Sequence, residues 1–69
     1  MTTDQVFYKE KKVNSINTIT CIVEENFMGN FSILIFDEEG GVWVEKFANN
    51  KTESVNMAEK LFSDICNEY

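Results

Sequence analysis

The chain has 69 residues, twelve acidic and six basic, with a formal charge of −6 and a pI near 4.4. That length allows one domain, residues 1–69. Every basic residue is lysine, and neither histidine nor arginine occurs, so the guanidinium fork that grips phosphates and guanines and the usual neutral-pH proton carrier are both missing.

The first apolar group is Val6-Phe7-Tyr8, followed by Lys9-Glu10-Lys11-Lys12. Residues 1–14 read either as a loose arm or as a short strand. The three lysines are too few for a nucleic-acid groove and read as a solvated edge or turn. Next, Ile19, Cys21 and Val23 alternate with Thr18, Thr20 and Ile22. β-Branched residues dominate, which predicts a strand. Asn26, Gly29 and Asn30 supply turn chemistry after it. In the following strand Phe31, Ile33 and Ile35 point to one face, and Ser32, Leu34 and Phe36 to the other. Both faces are apolar, as in a central strand covered on both sides.

Asp37-Glu38-Glu39-Gly40-Gly41 then forms a hairpin tip, with either glycine available for a positive φ. Beyond it Val42 and Val44 share one face of a third strand, and Trp43, Glu45 and Phe47 the other. The last segment predicts a helix, because Val55, Ala58, Leu61, Phe62, Ile65, Cys66 and Tyr69 recur at spacings of three and four. Asn50 with Glu53 three residues on fits a loosened capping box, with Thr52 and Ser54 as rival caps.

The predicted fold is therefore α+β: a three-stranded antiparallel meander, with room for a short extra N-terminal strand, followed by one C-terminal helix packed on one sheet face. One helix cannot cover two apolar faces. The expected helix-side set is Ile19, Cys21, Val23, Phe31, Ile33, Ile35, Val42 and Val44, leaving Ile22, Leu34, Phe36, Trp43 and Phe47; periodicity alone permits the two sets to be exchanged. The remaining face needs the N-terminal arm, a second copy or a foreign protein to cover it. Trp43 draws interest because tryptophan is enriched at interface hot spots.

Chemistry finds little support. Asp37, Glu38 and Glu39 are adjacent and diverge on an extended chain, unlike the alternating ligands of a calcium loop. Cys21 and Cys66 lack a histidine to make a thiolate, and both fall on apolar faces, although a sheet-to-helix disulfide is geometrically conceivable. Gly29, Gly40 and Gly41 match no phosphate-binding fingerprint. No catalytic, cofactor-binding or metal residues are assigned, and an enzyme is not expected.

The longest apolar run, Ile33 to Phe36, is far short of a membrane span, and the N-terminus lacks the pattern of a signal peptide, so a cytoplasmic location is expected. Abundant Asn, Ile, Lys, Phe and Glu without Arg or Pro suggest A/T-rich coding, as in a low-GC bacterium or phage. The expected function is a small acidic protein-binding module, such as a phage- or mobile-element-encoded inhibitor acting in the host cytoplasm. It would meet a basic surface, with nucleic-acid mimicry as one version, through Leu34, Phe36, Trp43 and Phe47 rimmed by Asp37, Glu38, Glu39 and Glu45. The alternatives are a homodimer using the same face and a single-stranded nucleic-acid binder stacking bases on the aromatics, which the acidic balance opposes.

Overall fold

The computed structural model describes residues 4–26, 28–39 and 41–68. Four strands, β1 (Asp4–Asn14), β2 (Asn17–Glu25), β3 (Phe31–Asp37) and β4 (Val42–Ala48), precede the helix α1 (Lys51–Cys66). They pair antiparallel in chain order, each beside its sequence neighbour.

The N-terminal segment is a full edge strand of 11 residues, longer than the arm or short strand expected from its sequence. An edge strand has little core to face, so its sequence shows no apolar alternation. Its charges divide by register. Lys9 and Lys11 pair with Cys21 and Ile19 on the helix side, while Glu10 and Lys12 pair with Thr20 and Thr18 on the other face. The strand lies beside β2 and does not fold across the sheet. The register is interrupted twice, between Gln5 and Phe7 and between Lys12 and Asn14. Bulges and alternating charge are both devices that keep an edge from recruiting another strand.

The turns follow local chemistry. In the β1–β2 turn the Asn14 side chain accepts from the Ile16 N–H at 2.9 Å. In the β2–β3 turn the Asn26 N–H donates to the Asn30 carbonyl at 2.7 Å, and Gly29 takes φ 88°, a conformation that costs other residues a Cβ clash.

Asn50 caps α1, its side chain accepting from the Glu53 N–H at 2.7 Å. The apolar stripe predicted for the helix supplies Ala58, Phe62 and Ile65 to the core; Tyr69 lies outside the described residues. Ser54 is also fully buried, its hydroxyl donating to the Lys51 carbonyl at 2.7 Å, which satisfies the group within its own helix.

The core lies between helix and sheet. Ile19, Cys21 and Val23 of β2 and Phe31, Ile33 and Ile35 of β3 are buried against the helix residues, with Val6, Phe7, Val13 and Val44 packed at the margins. This is the set predicted for the helix side, with one exception. Val42 pairs with Phe36 on the opposite face and is 62% exposed. A register shift in β4 inserts one extra residue between Val42 and Val44, so strict alternation misplaces everything before it.

A chain of this length has only a few kcal/mol of stability to lose. Ile33→Ala empties a fully buried site and is expected to cost about 2–5 kcal/mol, enough to unfold most of the population. Asn50→Ala is expected to cost about 1 kcal/mol. Urea titration followed by circular dichroism separates the two.

Candidate interaction face

The face away from α1 is assembled by register. Tyr8, Ile22, Leu34 and Glu45 form one row across the sheet. Glu10, Thr20, Phe36 and Val42 form the next, and Gln5, Glu24, Ser32 and Phe47 flank the first on its other side. The pleat puts these side chains on one surface. Ile22, Leu34 and Phe36 are half-buried by their neighbours alone, while Tyr8, Val42 and Phe47 stand well exposed. Glu10, Glu24 and Glu45 are interleaved among them, and Lys12 is the one lysine in this register among the described residues.

Of the residues singled out in the sequence, Leu34, Phe36, Glu45 and Phe47 share this face. Trp43 occupies the bulge of edge strand β4, outside the regular register, and is 45% exposed. Asp37, Glu38 and Glu39 sit at the β3–β4 hairpin end. Tyr8 and Glu10 also belong to the face and were not singled out, and Val42 belongs to it rather than to the helix side. Reading Tyr8, Glu10 and Lys12 as alternate residues of a strand would have found three positions of β1. No comparable signal announced the bulge that places Val42.

Tyr8 has its phenol pKa raised, first by lost hydration against the sheet and then by the neighbouring Glu10 charge. The phenolate is disfavoured, so Tyr8 presents a neutral hydroxyl to this surface.

The acidic tip has a structural job. The Asp37 carboxylate accepts from the backbone N–H groups of Glu39 at 3.0 Å and Gly41 at 2.8 Å, and the Asp37 N–H donates to the Gly41 carbonyl at 2.9 Å. This Asx-type turn fixes the hairpin. Gly41 does not take a positive φ, and a Cβ there would come within 2.9 Å of Asp37 Oδ2, so the Asp37 carboxylate would have to shift to make room. Gly40, the other candidate for a positive φ, lies outside the described residues. Glu38 and Glu39 are exposed. Among the described residues no three of Cys, Asp and Glu converge as a metal site would require.

Cys21 and Cys66 are free thiols. Burial pushes Cys21 up to about 11, outweighing the lowering effect of Lys9, and Glu59 adds to the rise. Burial also raises Cys66 against Lys11 and Lys9. Neither is an activated nucleophile, since the thiolate is the reactive form.

No helix among the described residues is long and apolar enough to cross a membrane. No known family, curated protein or solved structure matches this chain.

Asp37→Asn retains the acceptor oxygen and is expected to change stability by less than about 0.5 kcal/mol, whereas Asp37→Ala removes two solvent-exposed hydrogen bonds and is expected to cost about 1 kcal/mol. Equal stability of Asp37→Ala, Asp37→Asn and the unaltered protein in thermal melts would refute the turn's role. The Cys21 thiol is protonated in the native state above the pH at which an unfolded thiol ionises, near 9. Its contribution is therefore fully present below pH 9 and is lost as pH rises towards about 11. Cys21→Ser is expected to flatten the fall of stability across that window, measured by urea titration at stepped pH.

Proposed function

We propose that the chain is a small non-enzymatic protein-binding module that docks a basic, partly apolar partner surface on its open sheet face. The observation that carries this is the composition of the face: an apolar middle of Ile22, Leu34, Phe36, Val42 and Phe47 with Glu10, Glu24 and Glu45 set among it. Such a surface supports apolar burial at the centre and charge pairing around it. The protonated thiols and the lack of histidine support a role without catalysis.

The same charges weigh against the homodimer. Stacking two copies face to face would bring two sets of three glutamates together, relieved only by Lys12. They also weigh against single-stranded nucleic acid, whose phosphates would meet Glu10, Glu24 and Glu45. An acidic module that covers a basic surface fits an inhibitor of a nucleic-acid-binding protein, by mimicry of phosphate charge. Its small size and A/T-rich composition suit a phage or mobile element acting on a host protein in the cytoplasm.

Affinity capture from the source cell, compared across variants, tests the reading. Glu24→Lys with Glu45→Lys is expected to weaken the captured complex roughly tenfold or more, a change of about 1.4 kcal/mol in binding. Val42→Ser should weaken it further, while Lys51→Glu on the helix should not. Sedimentation at high micromolar concentration is expected to show a monomer. A stable dimer that Val42→Ser dissociates would replace this reading with self-association.

A further inference from the structure

A single helix is narrower than a four-stranded sheet: about 10–12 Å with its side chains, against roughly 19 Å for four strands at their usual spacing. A trough remains on each side of α1. The one beside β4 is an open groove of ≈ 580 Å³, lined by Lys46, Phe47, Met57, Lys60, Leu61 and Asp64. The one beside β1 is smaller, ≈ 220 Å³, with Lys9 and Lys11 in its lining. In a chain of net charge −6, four of the six lysines thus border these two troughs.

We propose that the β4–α1 groove docks an acidic, apolar segment of another protein, as a contact separate from the open sheet face. Met57 and Leu61 supply apolar surface for the segment's aliphatic side chains, with Phe47 at the strand edge where the groove meets the open face. Lys46 and Lys60 supply two ammonium groups for its carboxylates, against Asp64 as the single acid of the lining. The volume lies within the range of ligand sites, but the groove is open to solvent along its length. A small molecule would stay largely hydrated there, whereas a chain segment can lie along the trough. Two-fold antiparallel pairing of β4 with a second copy is disfavoured in the registers centred on Glu45 or Lys46, where like charges directly opposed destabilise a strand pair.

The protein's overall charge makes the test discriminating, because an acidic peptide is repelled everywhere except where lysines gather. The probe is a short blocked peptide of glutamate and leucine, titrated into isotope-labelled protein and followed by amide chemical shifts. Saturable shifts at Lys46, Lys60 and Leu61 are expected. Lys46→Gln with Lys60→Gln is expected to weaken binding roughly tenfold, with the fold unchanged by circular dichroism. Lys9→Gln with Lys11→Gln should leave it within about twofold. Four results would overturn the proposal: no saturable shift; shifts confined to Tyr8, Ile22, Leu34 and Glu45; equal binding of a lysine–leucine peptide in the groove; or self-association that the Lys46/Lys60 double variant abolishes, which would make a second copy the occupant.

Discussion

The contact between α1 and the two inner strands governs the rest of the molecule. Ala58, Phe62 and Ile65 rest on Ile19, Cys21, Val23, Phe31, Ile33 and Ile35, and these residues make up the fully packed interior. Burying large aliphatic side chains is worth about 1.5–3 kcal/mol each, so this layer carries most of the apolar driving force. It exists on one side only. The opposite side of β2 and β3 is nearly as apolar, through Ile22, Leu34 and Phe36, yet only neighbouring side chains shield it. The open face follows from having one helix for two hydrophobic surfaces.

Charge follows the same division. Strand register sends Glu10, Glu24 and Glu45 to the open face and Lys9, Lys11 and Lys46 to the helix side. Lys9, Lys11 and Lys46 line the troughs that the helix leaves beside it. Lys9 Nζ stands 5.5 Å from the centroid of the Phe62 ring, within range of a cation–π contact. A net charge of −6 therefore hides two regions of different character: an acidic, aromatic sheet surface, and lysine-bordered troughs beside the helix.

Much of this was legible in the chain because both periods are clean. Phe31 to Phe36 alternate without interruption, and the three-and-four spacing from Val55 to Cys66 defines one helical stripe. The order of elements and the existence of an uncovered face follow from those two patterns. Two features broke the pattern for physical reasons. β1 lies at the edge, where Val6, Phe7 and Val13 reach only the margin of the core, so Lys9 to Lys12 read as a solvated edge or turn. The β4 bulge shifts register by one residue at Trp43, which moves Val42 to the open face; periodicity assumes an even pleat and cannot register an inserted residue. The acidic tip was legible as a hairpin, but the bonds from Glu39 and Gly41 to Asp37 depend on backbone geometry that composition does not contain.

The order in which the strands pair has a kinetic meaning. Each strand lies beside its neighbour in sequence, and the helix follows the last strand directly. Pairing of strands that are chain neighbours closes short loops, while α1 must return across the chain to reach β2 and β3. The chain contains no proline, so no X–Pro isomerisation can hold up a fraction of the molecules. A protein that keeps an apolar sheet face in water is most vulnerable while its strand edges are unpaired. Local pairing of the strands shortens that interval for the sheet.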